Sequence, residues 1–193
     1  MIRLVRLWDR LARRFLAIRP AGEGAVLGYA LRRYPGRGIT MADGAALRRG
    51  DLVLELHLDS RLLAAETAGD TAHRRILRLR RELIADLRAL TARVEGDPQL
   101  AAVKGLWGLT LLNRGVEFLG FTVADLPPGP GRALATWYMR LLLTAYHPEG
   151  GGRLQRRQEA LVAKEIFLPM AVLLGRYGSG GPGTRRPHFG AGE

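Results

Sequence analysis

The chain has 193 residues, 47% of them apolar, enough for one domain with a sizeable core and unlike a disordered or fibrous chain. It contains no cysteine, which excludes disulfides, thiolate nucleophiles and thiolate metal sites but leaves the compartment open. A net charge of +12, from 30 basic against 18 acidic residues with every basic residue except Lys104 and Lys164 an arginine, points to polyanionic partners: nucleic acid, anionic lipid or an acidic envelope polymer.

Met1 to Ile18 reads as an amphipathic helix, with the N-terminal element taken as 1–19. Ile2, Leu4, Val5, Leu7, Trp8, Leu11, Phe15, Leu16 and Ile18 fill one side, and Arg3, Arg6, Arg10, Arg13 and Arg14 crowd the other. Basic and tryptophan-bearing, it suits either a membrane interface, with those five arginines as the anion contacts, or docking on its own domain. The arginines interrupt any secretory signal. No apolar run approaches the roughly 20 residues of a spanning helix. A soluble, cytoplasmic protein, or one peripheral to a membrane, is expected.

After Pro20 and the Gly22-Glu-Gly24 turn, Val26 to Tyr34 reads as a strand. Ile39-Thr-Met41, a turn at Ala42-Asp-Gly44 and Ala46-Leu47 form a hairpin on the Asp-Gly signal. The most pointed stretch follows. In Asp51-Leu-Val-Leu-Glu-Leu-His-Leu-Asp59, strand alternation sorts Leu52, Leu54, Leu56 and Leu58 onto one face and Val53, Glu55, His57 and Asp59 onto the other.

Arg61 to Ala65 reads as a short helix, and Thr71 to Val94 as a long one packing by Ile76, Leu79, Leu83, Leu87, Leu90 and Val94. Its arginines occupy a solvated face partly paired with Glu82 and Asp86. Val103 to Thr110 and Glu117 to Val123 are strand candidates, with Trp107, Phe118, Leu119 and Phe121 expected in the core. A helix from Arg132 to Tyr146 carries Leu134, Trp137, Tyr138, Leu141 and Leu142 on one side. Leu154 to Tyr177 reads as the last helix, kinked or restarted at Pro169, and residues 178–193 as a disordered tail. A single α/β (α+β) domain over 1–177 is expected, its small mixed or antiparallel sheet covered by three to four helices.

Glu55 and His57 sit about 6.5–7 Å apart along one strand face, close enough for both side chains to converge on one atom as an acid/base pair or ligand contact. Asp59, Arg114 and His147 are the further candidates for that face, and Arg114 suits bidentate capture of a carboxylate or phosphate. A divalent metal would need a third or fourth ligand from Asp59, His147 or Glu165. The plainer reading is a polar face closed by arginines such as Arg61 or Arg114. No metal or cofactor is expected, and no nucleophile elbow or phosphate loop is present.

Leu7-Trp8-Asp9, Arg49-Gly-Asp-Leu-Val-Leu-Glu-Leu-His-Leu-Asp59, Arg114-Gly-Val-Glu-Phe-Leu-Gly-Phe121, and His147-Pro148 with the Leu173 to Tyr177 ending together resemble the YkoP-like domain of bacteria. That resemblance implies a small bacterial domain, found alone or beside polysaccharide-deacetylase modules and associated with the cell envelope. It brings no established catalytic residues. The chain has neither an Asp-Asp pair nor a His-x3-His motif, so it is not itself expected to be a deacetylase.

The expected function is an accessory domain linked to envelope polysaccharide or glycolipid metabolism, binding an anionic membrane surface or glycan. The alternative is an envelope glycan hydrolase or transferase using Glu55 and His57 for proton transfer, for which Glu55, His57, Arg114 and His147 should line one pocket. Nucleic-acid binding is the least expected, because it needs exposed stacking aromatics and these read as buried.

Overall fold

A computed structural model describes residues 16–40, 44–59, 72–111, 115–146 and 162–179. Residues 1–15 of the expected N-terminal helix, the short helix expected at Arg61 to Ala65 and the residues beyond Ser179 lie outside these residues, as do Arg114 and His147.

Eight strands are described: β1 (Arg19–Pro20), β2 (Leu27–Arg33), β3 (Ile39–Thr40), β4 (Ala46–Leu47), β5 (Leu52–Leu58), β6 (Gly105–Thr110), β7 (Thr122–Asp125) and β8 (Lys164–Pro169). Three helices accompany them: α1 (Ala72–Gly96), α2 (Pro130–Tyr146) and α3 (Met170–Tyr177). Six strands make one mixed sheet in the order β1-β2-β5-β6-β8-β7, and β3 and β4 pair separately as the expected hairpin. Within the large sheet β5 and β6 run parallel, and every other neighbouring pair is antiparallel. A parallel pair needs a long crossover, which α1 supplies.

The alternation of β5 decides which layer goes where. Leu54 and Leu56 are buried in the main core, with Leu52 and Leu58 packed against it. Leu87, Leu90 and Val94 of α1 and Leu173 and Tyr177 of α3 meet the same core, so both helices cover the leucine face. Each such side chain contributes about 1.5–3 kcal/mol on full burial. Asp86 departs from the solvated role expected of it. It is buried, and its Oδ2 accepts a hydrogen bond from Leu27 N at 2.8 Å, tying α1 to the start of β2.

Three further expectations are corrected. Residues 16–19 are a turn leading into β1, not the end of a helix: Ala17 takes φ 48°, which breaks a right-handed helix, and Pro20 beside them sits on an edge strand that tolerates its missing N–H. Residues 116–119 form a 3₁₀ turn rather than strand, because Gly115 (φ 86°) and Gly120 (φ 93°) bracket them in the left-handed conformation. Phe118 is consequently turned out to solvent, while Leu119 and Phe121 are buried as expected.

Lys164–Pro169 is a strand where a helix is expected. Its period-two pattern is satisfied by pairing on both sides, with β6 and with β7. Pro169 then opens α3, the fresh start foreseen for it.

Candidate functional site

The face of the sheet opposite α1 and α3 carries the polar residues. Strand register places Gly28, Ala30 and Arg32 of β2 beside His57, Glu55 and Val53 of β5, then Trp107 of β6 beside Glu55, and Phe167 and Glu165 of β8 beyond. Partners across a ladder share a face, so these side chains rise on the same side.

Glu55 stands at the centre of a partly exposed cluster on this face. Its Oε2 lies 3.5 Å from Arg32 Nε and 3.5 Å from His57 Nε2, with all three side chains between one-fifth and one-third exposed. Arg32 is further anchored by donation from Nη2 to Leu16 O at 2.5 Å and from Nη1 to Leu31 O at 3.2 Å. His57 Nε2 is buried yet makes no hydrogen bond, its 3.5 Å approach to Glu55 lacking hydrogen-bond geometry. An imidazole nitrogen with unused capacity, beside a carboxylate acceptor and a guanidinium donor, is a site able to take a polar ligand group.

A second core supports this cluster from one side. Tyr34, Leu47, Val53, Trp107 and Phe167 pack together, and Ile39 of the hairpin closes over them. The Tyr34 ring meets Trp107 and Phe167 edge-on, each with centroids 5.8 Å apart. Trp107 Nε1 donates to Glu165 Oε1 at 3.2 Å, so a buried carboxyl lies behind the aromatics. Burial pushes the Glu165 carboxyl above its usual range, an effect the Trp107 hydrogen bond partly offsets. Burial, reinforced by the nearby Glu165 charge, pushes the Tyr34 hydroxyl up to about 12, and Tyr34 Oη makes no hydrogen bond.

Of the five candidates for the ligand face, the structure joins Glu55 and His57. Asp59 follows the last strand residue and is drawn into the interior, its backbone N donating to Val26 O at 2.7 Å. Arg114 and His147 lie outside the described residues, as do Arg3, Arg6, Arg10, Arg13 and Arg14. Among the described residues the arginine that closes the face is Arg32; Arg61 and Arg114, expected there, lie outside them. The register of Arg32 opposite Val53 puts it one residue pair from Glu55, a relation set by strand pairing rather than by local sequence. Glu165, one of three candidates for a further ligand had a metal been bound, is expected on the last helix. It instead occupies β8 and accepts from Trp107. No group of three or more metal-ligating side chains gathers among the described residues, and no described helix is long and apolar enough to cross a membrane.

Residues 16–18 run over one end of this face. A Cβ at Gly28, directly across from His57, would come within 2.8 Å of Ile18 Cγ2. Gly28→Ala is therefore expected to displace Ile18 and lower stability by about 1–3 kcal/mol, the range of overpacking costs, because a methyl on the Cβ of a β-branched side chain moves only with χ1. Urea denaturation reads this directly, and an unchanged midpoint would mean that Ile18 is not seated on the sheet.

The family model described as the YkoP domain matches residues 1–177. The chain is similar to the "Uncharacterized protein YkoP" of Bacillus subtilis (strain 168), with 28% identity over 94 residues covering 48% of this chain and 51% of that protein. The chain thus matches about half the length of that relative. No solved structure matches it.

Proposed function

The chain belongs to the YkoP domain family, and from that premise we propose that it is an accessory bacterial domain that binds an anionic envelope glycan at the Arg32, Glu55 and His57 cluster. The observation that carries the reading is His57 Nε2, a buried polar atom without a hydrogen bond, held beside Glu55 on an interior strand of the sheet. Leaving such an atom unsatisfied costs about 1–3 kcal/mol, which a ligand hydroxyl or carboxylate would relieve. Glu55 accepts from sugar hydroxyls, Arg32 favours carboxylate or phosphate, and the net charge of +12 attracts the polymer. The envelope setting is what the resemblance to the family implies.

Calorimetric titration with oligogalacturonate, against a neutral chito-oligosaccharide, tests this. His57→Ala is expected to weaken binding about tenfold, the equivalent of roughly 1.4 kcal/mol, while the melting transition stays in place. If His57→Ala and Glu55→Ala both bind as the wild type does, the cluster is not the ligand contact. The 3.5 Å contact of Glu55 with His57 also favours a second reading, acid/base hydrolysis or transfer on such a glycan. Shortening of the same oligosaccharide by the wild type, lost in Glu55→Gln, would select it.

A further inference from the structure

Helix α2 turns its apolar side outward. Leu134 is 65% and Trp137 60% exposed, whereas Thr136 is buried and its Oγ1 accepts a hydrogen bond from Ala163 N at 3.1 Å. At about 100° per residue, Leu134, Trp137 and Leu141 fall within roughly 60° of one another and Thr136 lies on the opposite side. The helix docks through a threonine and presents its stripe to solvent, the reverse of a helix that packs by its apolar face.

Two more features describe what would cover that stripe. Residues 130–146 include Arg132 and Arg140 and contain no Asp or Glu. Beside Trp137 runs a shallow groove lined by Gly129, Arg132, Ala133, Thr136, Arg140 and Val162.

We propose that this face of α2 docks the chain on an anionic lipid surface, with Leu134 and Trp137 entering the acyl boundary and Arg140, about 60° from Trp137 around the helix, directed to lipid phosphates. An indole is suited to the boundary because its ring is apolar and its N–H can meet the headgroups. Arginine stems lie along apolar surface while their heads reach phosphate. Charge argues against a second copy of the chain as the occupant, since that contact would bring Arg140 of one +12 chain towards Arg140 of another. None of these residues belongs to the glycan cluster, so this proposal and the glycan reading stand or fall separately.

The test uses the full chain and vesicles of phosphatidylcholine with or without phosphatidylglycerol. Co-sedimentation with the anionic vesicles is expected, weakening as salt is raised and dropping at least tenfold in the Leu134→Ser, Trp137→Ala double variant. Brominated acyl chains should quench tryptophan emission, and Trp137→Phe should remove that part of the quenching. The exposure of both positions makes the double variant's circular dichroism a fair check that it folds. Three results would each overturn the proposal: no sedimentation of the wild type with anionic vesicles, wild-type binding by the double variant, or a concentration-dependent dimer that the double variant abolishes.

Discussion

Phe167→Ala is expected to lower the stability of the domain by about 3–5 kcal/mol, the range for truncating a fully buried aromatic. Phe167 is 0% exposed and pairs with Trp107 across the β6–β8 ladder. Tyr34 meets its ring edge-on at an interplanar angle of 82°, and such contacts add to area burial. Removing the ring opens a cavity that β6 and β8 cannot close, because main-chain pairing fixes their spacing. Tyr34 and Trp107 lose a shared support, and Trp107 is both the lateral neighbour of Glu55 and the donor to Glu165. The polar cluster should therefore loosen with the core beside it. Chemical denaturation measures the loss, with Leu134→Ala as the control, since that exposed position should change stability by no more than about 0.5 kcal/mol. A loss below about 1 kcal/mol for Phe167→Ala would mean that the second core is not a unit of stability.

The residues that proved legible share one property: a local pattern with a single solution. The leucines of β5 alternate without interruption, so their burial and the outward turn of Glu55 and His57 could be read directly. The stripe Leu87, Leu90 and Val94 has helical spacing and lies in the core as expected. Lys164–Pro169 is the contrary case. Its apolar residues fit either period, and pairing on both sides decides for strand. The site suffered in the same way. Arg32 and Glu165 are distant in sequence from Glu55, and the strand order β2-β5-β6-β8 brings them to one face. The α2 stripe was legible as a stripe. Its orientation was not, because Thr136 rather than an apolar side chain makes the docking contact.

The buried carboxyl on β8 makes stability depend on pH with a definite sign. Burial raises the Glu165 pKa in the folded protein above the ordinary 4.5, so the folded state holds this proton more tightly than the unfolded chain does. The stabilising contribution is complete below the unfolded value and is lost as pH rises through the folded one. Glu165→Gln keeps an acceptor for Trp107 Nε1 and never ionises. The variant should match the wild type near pH 4 and exceed it in stability towards neutral pH, so that the difference between their denaturation midpoints widens as pH rises. Glu165→Ala behaves differently. It strands the indole N–H and should cost about 1–3 kcal/mol even at low pH. Should the wild type gain on Glu165→Gln as pH rises, the carboxyl would be stabilised in its ionised form, and the face behind Tyr34 and Trp107 would be a place for negative charge rather than a neutral wall.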